Sequence, residues 1–355
     1  MLWTHLARAG GVSERRGTTC PQEPGHPAQK PGGVESHAQV PTIQDVFVAR
    51  RRIAPYLRPT PLVRSEALGK ALGCEAWLKL ENLQPVGAFK VRGGINLVAA
   101  ELPRLRGRGL AAASTGNHGQ SVAFAARAFG LAATIFAPEG ANPLKVGAMQ
   151  ALGAEVRLVG RDFDEAREAC ERFAAETGAR YVHSMNEPLL IAGVATAYLE
   201  ALEELPDADA ILVPIGGGSG AAGASLVAKT LNPRIRVVGV QAEGAPAVYR
   251  SFYSRRLEST PRADTLAEGL ATRVAFELPL ALLWRYLDDV VLVRDDDLVA
   301  AMRLLLETTH TVAEAAGAAA TAAACRYPEL VAGRKVILPI TGGNATVDQL
   351  RAALA

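Results

Sequence analysis

The sequence predicts an α/β fold, with parallel sheets covered by helices on both faces and the chain divided into two lobes around a cleft. Three observations predict it. From Thr42 onward, short apolar runs alternate with longer amphipathic stretches, as strands and helices do when they take turns. Hydrophobic residues make up 49% of the chain and charged residues 21%, enough apolar material for a large core. The length of 355 residues exceeds what one simple sheet needs, which divides the fold into lobes.

Taken in order, the expected strands are 75–79, 110–113, 134–137, 155–159, 210–214, 236–241, 290–293 and 335–339. Helices are expected at 117–129, 143–152 and 162–176, each following a strand. The runs 110–113 (Leu and three alanines) and 210–214 (Ala-Ile-Leu-Val-Pro) are uniformly apolar, as strands buried on both faces are. Right-handed crossovers connect such units, and ligands then lie beyond the carboxyl ends of the strands. The chemistry is therefore expected in strand-to-helix loops.

Composition excludes other classes. With 38 Lys and Arg against 36 Asp and Glu, the net charge of +2 gives no nucleic-acid surface and no attraction to acidic membranes. No stretch reaches the roughly 18 consecutive apolar residues of a membrane span, and the run 315–325 reads as an alanine-rich helix. Cys20, Cys74, Cys170 and Cys325 form no CxxC pair, which argues against a disulfide framework or a zinc site and fits a reducing cytosol. Residues 1–39 are rich in Pro and Gly and are expected to be a disordered tail; they contain no apolar core of a secretory signal. His5, His26 and His37 lie there without thiols or carboxylates at metal-ligand spacing.

Three loops stand out. In the first, 84–94, Lys90 and Arg92 sit among small and apolar residues before a helix. An apolar setting disfavours a lysine's charged form and frees the amine for Schiff-base chemistry, although a lysine at a helix start is more often a solvated surface residue. The second reads Ser114-Thr115-Gly116-Asn117-His118-Gly119-Gln120, between a buried strand and a helix. It is either a carboxylate seat at a helix N-terminus or a helix cap by Ser114 or Thr115, and the local sequence leaves both open. The third, 216–223, is Gly-Gly-Gly-Ser-Gly-Ala-Ala-Gly after a buried strand, and its exposed N–H groups suit a phosphate. Gly218, Gly220 and Gly223 also satisfy GxGxxG, with Glu243 at the end of the next strand, so a dinucleotide-binding oxidoreductase is a rival reading.

Taken together, Phe89-Lys90-x-Arg92-Gly93, the Ser114 to Gln120 loop, the glycine loop and Thr341-Gly342-Gly343-Asn344 resemble the four signatures of the threonine dehydratase and serine racemase family. The resemblance runs from about Pro59 to the C-terminus, with the motifs in the family's order. It implies fold type II of the pyridoxal-phosphate enzymes, like tryptophan synthase β, with the cofactor pyridoxal 5'-phosphate in the cleft between two parallel-sheet lobes. The catalytic region is then 40–355, with a smaller inner lobe over roughly 107–188 inserted in the larger one.

Residue by residue, the resemblance makes Lys90 the Schiff-base lysine, with Phe89 against the cofactor ring. Asn117 would meet the cofactor's phenolic oxygen, and Ser114, Thr115, Gly116 and His118 the substrate carboxylate. Gly216, Gly217, Gly218, Ser219 and Gly220 would hold the phosphate, Thr341 the pyridine nitrogen, and Gly269 and Glu314 would border the cofactor. A hydroxyl at the pyridine nitrogen does not stabilise a protonated ring as a carboxylate does, which favours loss of a β-substituent over transamination. The implied activity is β-elimination: L-threonine to 2-oxobutanoate and ammonia, and L-serine to pyruvate. Thr115 stands where racemases of the family use a serine hydroxyl, so racemisation stays open, as does a dehydratase of another β-hydroxy amino acid. A non-catalytic pyridoxal-phosphate or amino-acid binding protein is the alternative of a different class.

The pattern departs from the family at Ala88, where serine is usual, and at Gln241 and Ala247, where metal-binding relatives carry acids; no metal site is expected. No C-terminal regulatory domain is expected either. The expected partners are a small amino-acid substrate and further copies of the chain, as a dimer or tetramer, in the cytoplasm.

Overall fold

Ten strands pair into two sheets in the computed structural model, which describes residues 40–355. The expected tail, 1–39, lies outside the described residues. The strands are β1 (Leu62–Ser65), β2 (Glu75–Leu80), β3 (Leu110–Ala113), β4 (Ala133–Ala137), β5 (Glu155–Leu158), β6 (Arg180–Tyr181), β7 (Ala210–Pro214), β8 (Arg236–Ala242), β9 (Asp289–Val293) and β10 (Lys335–Ile340). One sheet has the order β1-β2-β10-β7-β8-β9, the other β5-β4-β3-β6. The second sheet is therefore a continuous insertion between β2 and β7 of the first.

Every pairing is parallel, as the sequence predicts, except that of β1, an additional strand, with β2. The reason is local: only nine residues separate Ser65 from Glu75, and the helix Glu66–Leu72 fills most of them, turning the chain back along β1. With one buried residue in four, β1 carries no period-two signal.

Both faces of each sheet are buried, and the side chains divide between them with period two. Ala210 and Leu212 of β7 join one apolar cluster while Ile211 and Val213 join the other, and Val336, Leu338 and Ile340 of β10 oppose Ile337 in the same way. In the smaller sheet, Leu110 and Ala112 of β3 face one cluster and Ala111 the other. Alanine is a weak strand former, so β3 owes its conformation to this two-sided burial. Local signals fix the helix ends. Asp162 caps Phe163–Thr177 by accepting from the Glu165 N–H, and Gly178 ends it with φ of 74°.

The lobes are joined through two long helices, Val91–Leu105 and Pro188–Glu204, which cross where a Cβ on Gly193 would stand 2.6 Å from the Arg92 carbonyl oxygen. That close crossing brings charged residues together inside the protein. Arg92, 1% exposed, donates through Nε and Nη2 to the two carboxylate oxygens of Glu81 (2.7 and 2.8 Å). It also donates through Nη1 and Nη2 to Glu200 (2.6 and 2.7 Å). Lys79, fully buried, completes the set with bonds to Glu200 (2.7 Å) and the Thr60 carbonyl (2.6 Å). Burial alone would raise the Glu81 pKa, but the Arg92 guanidinium holds it below the usual carboxylate range.

Removing one member leaves an uncompensated buried charge. We expect Arg92→Met to lower the unfolding free energy by about 3–5 kcal/mol in a denaturant titration. Glu203→Gln, which breaks the exposed pair with Arg50, should change it by less than about 1 kcal/mol.

Candidate active site

Lys90 caps the helix Val91–Leu105, and its Nζ donates to Ser219 Oγ at 2.9 Å and lies 4.0 Å from Met185 Sδ. Its backbone oxygen accepts from Ser121 Oγ (2.7 Å), which ties it to the helix of the smaller lobe. The side chain keeps some exposure to the cleft, yet protein crowds the amine, and this desolvation lowers its pKa to about 8. Phe89 lies alongside, with the amine 5.4 Å from its ring centroid. The Phe89 N–H donates to the Thr341 carbonyl (3.0 Å), and Ala88 bridges Gly342, so the end of β10 is fastened to the lysine loop.

The glycine loop is shaped for an anion. Gly218 takes φ of 98°, and a Cβ on Gly216 or Gly217 would stand 2.2 Å from the Gly269 carbonyl oxygen or from Met185 Sδ respectively. The five successive N–H groups of residues 216–220 donate to no acceptor among the described residues, and they gather at the N-terminus of the helix Ser219–Leu231. Such a cradle of buried donors fits a phosphate, and the amine 2.9 Å from Ser219 fits an aldehyde carried beside it.

In the second loop Gly116, and not Ser114 or Thr115, holds the N-cap position of the helix Asn117–Ala128, and Ser114 supplies the capping oxygen from two residues before it. Ser114 Oγ accepts from the N–H groups of Gly116 (3.1 Å) and Gly119 (2.8 Å), which is capping, while its own hydroxyl hydrogen stays available. Thr115 is half-buried. His118 donates from Nε2 to the Val182 carbonyl (3.0 Å), and desolvation, with the Lys90 charge adding, lowers its pKa to about 3. The ring is therefore neutral.

Asn117 stands in a relay. Asn344 Nδ2 donates to Asn117 Oδ1 (2.8 Å) and to the Val86 carbonyl (2.9 Å), and Asn117 Nδ2 donates to Glu314 Oε1 (2.6 Å). Glu314 is buried, and desolvation raises its carboxyl above the ordinary range against the opposing pull of Lys145 and Asn117.

The structure thus brings together Phe89, Lys90, Ser114, Thr115, Gly116, Asn117, His118, the glycine loop with Ser219, Gly269, Glu314 and Thr341. Sequence reasoning did not single out Met185, or the ion pair of Lys145 with Glu268 next to Gly269. These come from segments far apart in sequence, and neither carries a local signal. Among the described residues no group of three or more His, Cys, Asp and Glu is placed to hold a metal, and Gln241 Oε1 accepts from the Tyr249 N–H (2.8 Å).

The family described as pyridoxal-phosphate dependent enzyme matches residues 53–342. The chain belongs to that family. Among relatives, an L-threonine ammonia-lyase of Thermotoga maritima is 41% identical over 309 residues, covering 87% of this chain and 77% of that protein. An L-threo-3-hydroxyaspartate ammonia-lyase of Saccharomyces cerevisiae is 36% identical, covering 88% and 96%. The solved structure of maize serine racemase superposes with a TM-score of 0.84 at 31% identity, covering 89% and 97%. The fold is therefore that of the fold type II pyridoxal-phosphate enzymes, and family membership removes the dinucleotide reading of the glycine loop.

A lysine with a depressed pKa stores a cost that family chemistry uses. The folded protein binds fewer protons at Lys90 than the unfolded chain between pH about 8 and 10.5, so this group's contribution to stability rises with pH across that window. We expect Lys90→Met to stabilise the cofactor-free protein at pH 7 by about 3 kcal/mol. The difference, followed by denaturant titration, should shrink above pH 8 and vanish near 10.5.

Proposed function

We propose that this enzyme is a pyridoxal-phosphate-dependent ammonia-lyase that converts L-threonine to 2-oxobutanoate and ammonia, and L-serine to pyruvate and ammonia. The observation that carries the reading is the desolvated Lys90 amine, 2.9 Å from Ser219 at the head of a cradle of five N–H donors. The name and 41% identity of the Thermotoga maritima relative support threonine as substrate.

Bound pyridoxal phosphate supplies an aldehyde for the substrate amine and a ring that draws electron density from Cα. The N–H groups of residues 216–220 would hold its phosphate, Thr341 its pyridine nitrogen, and Asn117, through its second N–H, its phenolic oxygen. Phe89 would pack against the ring, with Gly269 and Glu314 at its border. Ser114, Thr115, Gly116 and His118 would receive the substrate carboxylate through the two hydroxyls and the N–H groups of Thr115 and His118, with Gly116 leaving room for it.

Lys90 Nζ then takes the Cα proton; its pKa of about 8 leaves a usable fraction of free amine near neutrality. The electron pair of the Cα–H bond forms the Cα–Cβ double bond, the Cβ–O bond breaks, and the hydroxyl leaves as water with one proton, which balances the proton that Lys90 took from Cα. The released enamine hydrolyses to the keto acid and ammonia. Elimination suits Thr341, because a neutral hydroxyl at the ring nitrogen favours prompt expulsion of the β-substituent over a long-lived carbanion.

A cytoplasmic homo-oligomer belongs to the same reading. The free thiols Cys74, Cys170 and Cys325 and the absence of any helix long and apolar enough to cross a membrane, among the described residues, support the location. The open outer edge of β1, with Val63 exposed, supports association.

The test is release of 2-oxobutanoate from L-threonine by the purified holoenzyme, coupled to a keto-acid reductase. Lys90→Ala should lose the cofactor's protein-bound absorbance and at least about 1,000-fold in rate. A holoenzyme that releases no keto acid from threonine or serine overturns the reading, and conversion of L-serine to D-serine alone would replace it with racemisation. Gly216→Ala, whose Cβ meets a backbone oxygen that cannot yield, should weaken cofactor affinity by at least about 100-fold while the protein stays folded, as read by equilibrium dialysis.

A further inference from the structure

The proposed carboxylate seat is built of neutral groups. The Ser114 and Thr115 hydroxyls, backbone N–H groups and an imidazole bonded to a carbonyl face a substrate group that carries a full negative charge. Lys90 is committed to the amine end of the substrate. One further cation reaches the loop. Lys145, on the helix Pro143–Ala151, has its side chain only 10% exposed and lies so close to Gly116 that a Cβ there would be 3.2 Å from Lys145 Cδ and 3.5 Å from Nζ.

Its counter-ion comes from the other lobe. Lys145 Nζ pairs with Glu268, whose side chain is 40% exposed, and the Glu314 carboxyl feels the Lys145 charge as well. Taking an ammonium out of water is costly, and a paired anion offsets that cost. Glu268 supplies that anion from the rim of the cleft while holding the ammonium over Gly116.

We propose, resting on the ammonia-lyase reading, that Lys145 is the specificity-determining cation of the carboxylate seat, with Glu268 as its exchangeable counter-ion. The arrival of a substrate carboxylate at the Gly116 loop gives the ammonium a second anion, in a setting where solvent screens it little. Removing Glu268's charge should leave more of the Lys145 field for the substrate.

The test separates carboxylate recognition from a structural role by comparing L-threonine with L-threoninol, the amino alcohol that lacks the carboxylate. Both are mixed with holoenzyme in a stopped-flow instrument, and half-saturation of the cofactor's absorbance change before the first turnover completes gives each apparent affinity. Lys145→Met should lower the threonine-to-threoninol affinity ratio about tenfold, and Lys145→Arg should return most of it. Glu268→Gln, at an exposed position, should raise the ratio severalfold. Equal weakening of both ligands in Lys145→Met, or an unchanged or lower ratio in Glu268→Gln, overturns the proposal; the second variant decides the matter if the first does not fold. A wild-type enzyme that releases no keto acid would defeat the ammonia-lyase reading while leaving the affinity ratio readable.

Discussion

Arg92 and its two buried carboxylates are the constraint from which the cleft follows. Glu81 comes from the turn after β2 in the larger sheet, and Glu200 from the helix that returns the chain from the smaller lobe to β7. Arg92 lies on the helix that leads out to the smaller lobe, so one guanidinium fixes the outgoing and returning connections together. With Lys79 the buried set contains two positive and two negative groups, and every one is paired. A planar fork that meets two carboxylates at once fixes angles as well as distances, which a lysine in its place would not. Lys90 is two residues before this anchor, so the position of its amine is inherited from the cluster.

The site itself is built from arrangements that cost stability. Among the described residues, Lys90 is desolvated without a carboxylate partner, Glu314 is buried beside amides, and five N–H groups at the glycine loop lack protein acceptors. Each opposes folding, and in the proposed reaction each would serve binding. The large apolar clusters on both faces of the larger sheet and the buried ion network hold the loops in place against that cost. Glycine is required in the loop for a steric reason, since the Gly269 carbonyl and the Met185 sulfur occupy the space that side chains at 216 and 217 would need.

Much of this was legible in the sequence, because uniform apolar runs and alternating helices are local signals. All eight expected strands form, and the helices at 117, 143 and 163 begin within one residue of the expected positions. The two strands without such signals, β1 and β6, are short and half-exposed, and only their neighbours define them. The site's motifs were legible because chemistry demands glycines, hydroxyls and a lysine in fixed order. Arg92 was legible only as a charge beside Lys90. Its partner Glu200 lies 108 positions away, and Lys145 and Glu268 are 123 apart, so their pairing is a property of topology and not of any window of sequence.

The helix that begins at Ser219 connects these features. Its N-terminus carries a partial positive charge and lies beside Lys90, whose Nζ is 2.9 Å from Ser219 Oγ. That field disfavours an ammonium there, in the same direction as the desolvation that already lowers the Lys90 pKa. A phosphate seat made of lysines or arginines would bind as well but would add formal charges to a site that needs a neutral amine and one orienting cation. In the proposed site, backbone donors would hold the anion with partial charges fixed by the fold. The full positive charge can then sit with Lys145, beside the Gly116 loop, where it orients a carboxylate.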